Sequence, residues 1–382
     1  MINNDIIQWN QSNIFVQSGG YARMTTLPDG DLACVYTSGG YVRYCTSADE
    51  GITWSAPTNV IKIESTPTGQ KMVLANANIV VMKNGAYMVA FRAHTGGPVG
   101  EFTSFYSSIR YCISRDKGVT WSEDIIVVEN NHVGGEFTGF WEPHMLYVKD
   151  GKLAMYYAAD CLGGTAVGYP FINDIEKQQH IVLHLYDEET KQFGEPIIAS
   201  NGIDHGSRDG MPSVCELADG TFAMVIESSS YRPRNAFIIQ MLFSEDGIKW
   251  SEPKNIWIPK SEGHYAGAPF VAKLDDGRIA VSFQATEGSG NTLAHNKVNN
   301  SVMNVIISNK PISYADRDTI SQADFDRVSE NPIQTYEEHS YAIWPAMHVH
   351  KGKLYCSADL GVCTSPTGRA LKGIHLRIGT IK

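Results

Sequence analysis

A chain of 382 residues with 43% hydrophobic and 19% charged side chains has the make-up of a water-soluble globular protein. Its net charge of −10 argues against nucleic acid or anionic membrane as the partner, because both reward a basic surface. A neutral oligosaccharide or polysaccharide is compatible with it. The 35 glycines, 18 tyrosines and 7 tryptophans, without long apolar stripes at helical period, point to short strands joined by tight turns.

The N-terminal MINNDIIQWNQSN lacks the basic and apolar regions of a signal peptide. The protein is therefore expected in the cytoplasm as written, or secreted or periplasmic if a leader was trimmed. The 7 cysteines are scattered and odd in number, so they make no disulfide framework. Cys112, Cys161, Cys215 and Cys356 stand among apolar or aromatic neighbours and read as small buried hydrophobes. His132, His144, His205 and His264 have no ligand spacing, so neither a metal nor a cofactor is expected.

Along the chain, an apolar run, a polar turn ending in glycine and a second apolar run recur. The turns are Leu27–Gly30, Met82–Gly85, Val148–Gly151, Leu217–Gly220, Leu274–Gly277 and Val349–Gly352. Asp-Gly and Asn-Gly supply the positive φ that hairpins need. The glycine spacings of 55, 66, 69, 57 and 75 residues each accommodate a four-stranded antiparallel unit. Six such units predict an all-β, six-bladed β-propeller with blades near 19–65, 70–130, 136–200, 205–260, 264–335 and 338–382. The sixth is cut short at Lys382, and the stretch around Ile14-Phe15-Val16 is expected to supply its outer strand and close the ring. Polar inserts near 162–180 and 311–332 read as loops or short helices. A single domain and a monomer are expected.

The repeat supplies a common coordinate. Residues nine before each glycine and seven after it fall at the same end of a blade. The first set is Tyr21, Asn76, Glu142, Met211, Ala268 and Ile343; the second is Thr37, Arg92, Ala158, Glu227, Gln284 and Asp359. Glu142, Glu227, Asp359, Arg92, Asn76 and Gln284 are thus expected at one rim, with Arg23 just below, as a polar ring around a saccharide-sized depression. Glu142 lies between Trp141 and Pro143. Glu227 ends the apolar strand Phe222–Ile226, where its charged form is disfavoured unless a cation or hydrogen bonds compensate. Two carboxyls flanking one anomeric carbon are what a glycosidase needs, about 5–5.5 Å apart for retention and wider for inversion. Trp141 is a candidate to stack on a sugar ring. Arg23 and Arg92 would orient carboxylates or bind hydroxyls, and Arg208 and Asp209 would bind substrate or form an ion pair.

A second motif is more specific. Ser47–Trp54 and Ser114–Trp121 resemble the Asp-box, S-x-D-x-G-x-T-W, and Ser244–Trp250 is a shortened form. The box marks sialidases and related propellers and is read as a turn staple, its aspartate accepting backbone N–H groups. Tyr21–Gly30 also resembles the sialidase opening that carries the first arginine of a carboxylate-binding triad. Glu227, however, stands where sialidases place the second arginine, and would repel an acidic sugar.

The segments Tyr21–Tyr36, Leu74–Asn78, Phe91–His94, Trp141–Pro143 and Arg208–Glu227 are more similar to glycoside hydrolase family 93, the exo-α-1,5-L-arabinanases. That resemblance implies a sialidase-like propeller and a retaining enzyme that releases arabinobiose from an arabinan-like substrate. It makes Glu142 and Glu227 the catalytic pair, with Glu227 favoured as nucleophile and Glu142 as acid/base. It further implies a functional tyrosine, Tyr341 with Tyr336 behind it. His94 and Trp344 join Arg23, Asn76, Arg92, Trp141, Arg208, Asp209, Gln284 and Asp359 as substrate-binding candidates. A sialidase-like exo-glycosidase and a non-catalytic glycan-binding propeller are the alternatives.

Overall fold

The computed structural model describes residues 2–3, 5–66, 69–95, 104–133, 139–160, 179–229, 237–260, 263–289, 300–333, 335, 337–366 and 368–382. Cys161, Tyr336, most of the insert at 162–180 and the side chains of His132 and His205 lie outside that description. No helix among the described residues is long and apolar enough to cross a membrane.

The strands, in chain order, are β1 (Ile7–Trp9), β2 (Ile14–Gln17), β3 (Gly20–Thr26), β4 (Leu32–Ser38), β5 (Tyr41–Ser47), β6 (Thr58–Lys62), β7 (Met72–Val81), β8 (Tyr87–Thr95), β9 (Ser104–Ser114), β10 (Ile125–Val133), β11 (Phe140–Tyr147), β12 (Leu153–Ala159), β13 (His180–Asp187), β14 (Gln192–Phe193), β15 (Ile197–Ser200), β16 (Asp209–Glu216), β17 (Phe222–Ser228), β18 (Ile238–Ser244), β19 (Lys254–Trp257), β20 (Ala266–Lys273), β21 (Ile279–Ala285), β22 (Val302–Ser308), β23 (Phe325–Ser329), β24 (Ser340–His350), β25 (Lys353–Cys363) and β26 (Arg369–Ile381). They form six sheets: β3 to β6, β7 to β10, β11 to β14 with β15 also on β13, β16 to β19, β20 to β23, and β24 to β26 with β1 and β2 on β26. These are the blades of a six-bladed β-propeller.

The ring closes as expected: Ile14 and Phe15 pair with Leu376 and His375. The short β1 extends the closure by pairing Ile7 with Ile381. Two details differ from the expectation. The outer edge of the third blade is split between β14 and β15. The segment 311–332 is more than an insert: it carries short 3₁₀ turns at Tyr314–Asp316 and Gln322–Asp324 and then β23, the outer strand of the fifth blade.

The chain packs as two compact units, Met1–Ala22 with Asp49–Trp54 and Ser213–Lys382, and Arg23–Ala48 with Ser55–Pro212. In the first unit, Val225, Met241 and Phe243 pack with Val281, Phe283 and Ile306 in one apolar layer. Ile7, Leu274, Val305, Leu354 and Cys356 form the next. In the second unit, Val35 and Tyr44 pack with Ile79, Val89 and Phe91, and Met88 and Tyr111 with Phe140, Met155 and Tyr157. Each layer is a sheet-on-sheet contact. Strands β12, β17 and β21, covered on both faces, are buried at every position, which is why they read as unbroken apolar runs. The cysteines Cys112, Cys215 and Cys356 are free and buried, as expected of small hydrophobes.

Five of the six inner hairpins have three-residue loops closed by a bond from the glycine N–H, as in Gly30 to the Leu27 carbonyl at 2.9 Å. In the sixth, β24 ends at His350 and β25 begins at Lys353, leaving a two-residue loop of Lys351 (φ 48°) and Gly352 (φ 73°). The motif aspartates act as the sequence implies. Thr53 N–H donates to Asp49 at 2.8 Å, Thr120 N–H to Asp116 at 2.8 Å, and Ile248 and Lys249 N–H to Asp246 at 2.7 and 2.9 Å.

Because β26 takes its outer partners from the N-terminal segment, deleting residues 1–17 exposes a long unpaired edge. Such a variant is expected to aggregate or to lose at least several degrees of Tm, measured by calorimetry and size-exclusion chromatography. Unchanged Tm in a monodisperse truncated protein would show that the closure contributes no stability.

Candidate active site

Each innermost strand contains one residue in the left-handed region: Tyr21 (φ 60°), Asn76 (57°), Glu142 (45°), Met211 (52°), Ala268 (50°) and Trp344 (54°). Ladder register shifts at this point between Ala75 and Asn78, Trp141 and His144, Gly267 and Phe270, and Ile343 and Ala346. The residue therefore begins a β-bulge, which turns its side chain out of the regular alternation. Left-handed backbone costs a non-glycine residue about 1–2 kcal/mol. Since Met211 and Ala268 adopt it as Glu142 does, the bulge belongs to the blade architecture whatever side chain it carries. Proline follows in four blades, as Pro143, Pro212, Pro269 and Pro345, where the interrupted ladder needs no N–H. In the sixth blade the residue in this frame is Trp344 and not the expected Ile343, because the shorter hairpin shifts the count from the glycine by one.

The positions seven after the glycine answer this bulge. Ala268 N–H donates to Glu227 Oε2 at 2.8 Å, Trp344 N–H to Gln284 Oε1 at 2.9 Å, and Tyr21 N–H to Asp359 Oδ1 at 2.8 Å and Oδ2 at 3.1 Å. In each case a side chain from one blade caps the left-handed N–H of the following blade. Glu227, Gln284 and Asp359 are all buried, at 6%, 0% and 5% exposure, so these bonds replace water that the N–H groups cannot reach. The carboxylates come so close to the neighbouring backbone that a Cβ on Gly20 would lie 2.4 Å from Asp359 Oδ2, and one on Gly267 2.6 Å from Glu227 Oε2. That same point beside Gly267 is 2.2 Å from the Tyr265 hydroxyl. Gln284 Nε2–H donates to this hydroxyl at 3.2 Å. The Trp344 ring stands 6.2 Å from that of Tyr21.

Tyr341 is fully buried, packed with Ile343 and Cys363, its ring against Gly361. Its hydroxyl has no hydrogen-bond partner among the described residues. Burial pushes its pKa up, against the opposing charge of Arg369.

In the other unit, the Arg92 guanidinium lies 3.7 Å from the centre of the Trp141 ring. The indole N–H donates to Asp160 Oδ2 at 2.8 Å, and Gln179 Nε2–H to Asp160 Oδ1 at 3.0 Å. Trp141 is thus gripped at its face and its edge. Glu142, half-buried, follows directly on Trp141 and is the left-handed residue of the bulge. Asn76 is buried, and its Oδ1 has no partner among the described residues. Asn78 Oδ1 accepts Met145 N–H at 3.1 Å. His94 Nδ1 sits 2.9 Å from the Thr95 carbonyl, and burial, with the Arg92 charge beside it, pushes its pKa down to about 3. Asp209, fully buried, accepts the Ser200 and Ser207 hydroxyls, both at 2.7 Å. Arg23 is buried on β3, and Arg208 forms an isolated parallel bridge with Gln179. Among the described residues, no group of three His, Cys, Asp or Glu side chains could hold a metal ion.

The sequence reading missed Tyr265 and Asp160. Asp160 stands two residues beyond Ala158, on the same strand face by the period of two, which is the signal that could have found it. Tyr265 had one weaker signal, the Gly267 that makes room for its hydroxyl.

Glu227→Ala is expected to lower stability by about 1–3 kcal/mol, because it leaves the buried Ala268 N–H unsatisfied. Glu227→Gln retains an acceptor and should stay near wild type, as Gln284 already does this work with an amide. Equal denaturation midpoints for the two variants would refute the capping role. His94 supplies a pH dependence. The unfolded imidazole gains a proton below about pH 6.5 while the folded one stays neutral, so stability should fall as pH drops from there towards the folded value. His94→Gln should flatten that slope in denaturation curves taken between those limits.

No family model and no curated protein matches this sequence. Solved structures do. The glycoside hydrolase family 93 α-L-arabinofuranosidase of Fusarium graminearum, in complex with arabinobiose, is similar with a TM-score of 0.63 and 17% identity over 96% of this chain and 97% of that one. The Penicillium chrysogenum α-L-arabinanase with arabinobiose has a TM-score of 0.59 and 18% identity over 96% and 97%. The NanB sialidase of Streptococcus pneumoniae has 0.59 and 10% over 99% and 70%. The chain has the fold of the family 93 enzymes, a sialidase-like six-bladed β-propeller.

Proposed function

We propose that this protein is a retaining glycoside hydrolase that acts from the chain end on α-L-arabinan-type oligosaccharides and releases arabinobiose. The observation that carries the reading is the likeness, over nearly the whole chain, to two structures that hold arabinobiose, a family 93 α-L-arabinofuranosidase and an α-L-arabinanase. The shared frame of Glu142 and Glu227 in the blade repeat supports it. In the proposed reaction a Glu227 carboxylate oxygen attacks the anomeric carbon. The bond to the glycosidic oxygen breaks, and the Glu142 carboxyl gives that oxygen its proton. Water then attacks the glycosyl–Glu227 ester, Glu142 takes a proton from the water, and Glu227 leaves as the carboxylate. The clamped Trp141 would form a platform for a sugar ring, and Asn76 would meet a sugar hydroxyl.

The test is hydrolysis of linear α-1,5-arabino-oligosaccharides, with products resolved by chromatography and the anomer formed read by NMR. Glu142→Gln and Glu227→Gln are each expected to reduce kcat by about three orders of magnitude or more, with the fold intact by circular dichroism. Full activity in both variants would overturn the assignment. The likeness to NanB favours a second reading, a sialidase-like hydrolase. Release of 4-methylumbelliferone from a sialoside would favour it; the carboxylate of Glu227 argues against it, since it would repel an acidic sugar. Saturable arabino-oligosaccharide binding without products would instead point to a binding propeller.

A further inference from the structure

We propose that Tyr265 is a positioning residue for Glu227, its hydroxyl proton aimed at that carboxylate by a one-way chain of hydrogen bonds that begins at the Trp344 backbone. The proposal rests on Glu227 being a working carboxylate of the site.

The direction of the chain follows from donor and acceptor chemistry. A backbone N–H can only donate, so the Gln284 atom 2.9 Å from Trp344 N must be the carbonyl oxygen. That fixes the amide and turns its NH₂ group towards Tyr265, whose hydroxyl lies at 3.2 Å. The hydroxyl accepts there, and its own proton is left to point elsewhere. Glu227 Oε2 is the neighbouring anionic acceptor: both oxygens crowd the same empty point beside Gly267, at 2.2 and 2.6 Å from it. The close approach requires glycine there, since any Cβ would drive the two apart.

Tyr265 is also held firmly. Its N–H donates to Thr286 Oγ1 at 3.0 Å, and its carbonyl accepts Thr286 N–H at 3.1 Å. Its ring packs edge-on against Phe237 at 5.8 Å, and the residue is buried. The consequence is that Glu227 Oε2, already bonded to Ala268 N–H, faces a second donor. Donors to a carboxylate favour its charged form, the form a nucleophile needs. The other charged or titratable groups on strands packed beside Glu227 are few. β18 has none. β20 has Lys273 at its hairpin end. β16 carries Cys215, whose thiol burial pushes well up, exposed Glu216, and Asp209, occupied by Ser200 and Ser207.

The experiment is ¹³C NMR titration of the Glu227 side-chain carboxyl, assigned with Glu227→Gln, in wild type, in Tyr265→Phe and in protein carrying 3-fluorotyrosine at position 265. Loss of the donor in Tyr265→Phe is expected to raise the Glu227 midpoint by about one pH unit, and the stronger donor fluorotyrosine to lower it. On a cleavable arabino-oligosaccharide, Tyr265→Phe should lose about tenfold in kcat with KM near wild type. An unchanged midpoint in folded Tyr265→Phe, or movement in the same direction in both variants, would overturn the proposal. The titration needs no turnover. A protein that shows opposite shifts but cleaves no arabino-oligosaccharide would retain the relay and lose the arabinanase reading.

Discussion

One contact recurs at three of the six inner strands: a left-handed residue presents its N–H, and a buried side chain from the blade before receives it. Left-handed backbone is unfavourable for these residues, and a buried N–H without a partner costs about 1–3 kcal/mol more. Where the cap is formed, it satisfies a donor that the left-handed backbone turns out of the strand ladder. In the fourth to sixth blades the receivers are Glu227, Gln284 and Asp359, so the chain of caps runs from blade four to five, five to six and six to the start of blade one. Ser213 repeats the device one step deeper, where its hydroxyl takes Val271 N–H at 3.1 Å.

This arrangement gives Glu227 an architectural duty beside the catalytic one proposed for it, and an alanine variant confuses the two. The carboxylate is an architectural cap whatever its chemistry, because an amide in the fifth blade and an aspartate in the sixth do the same work. What sets Glu227 apart is the company of the Tyr265 hydroxyl beside Gly267. The chemical distinction between equivalent positions thus lies in what surrounds the cap. In the other unit the design differs. Arg92 occupies the receiving position, but a guanidinium carries no acceptor atom, and it lies instead on the Trp141 ring. There the position holds an aromatic ring where its counterparts hold backbone.

Much of this was legible in the sequence because a propeller is repetitive. Six glycine turns supplied a coordinate, and counting from them placed five of the six left-handed residues at the correct number. The sixth failed by one residue, since counting assumes equal loops and Lys351-Gly352 makes a shorter one. Asp-Gly and Asn-Gly could be read because their backbone demands are local. Tyr265 was barely legible, with only Gly267 to hint at it: its importance arises from three oxygens and nitrogens brought together from β17, β21 and the residue before β20, a tertiary meeting with no sequence period. The outer strand β23 was hidden for a related reason, because two short 3₁₀ turns precede it and break the spacing.

The pairing of Ile7 with Ile381 couples almost the first residues to almost the last. During synthesis the outer edge strands of the sixth blade are made long before β26 and must wait for it. Such distant pairing is slow to form, and it leaves the early strands solvent-facing for the whole of translation. It also means that residues 7 and 381 meet within one sheet. A linker joining them, with new termini opened at an exposed hairpin, would convert this late, long-range step into a local one.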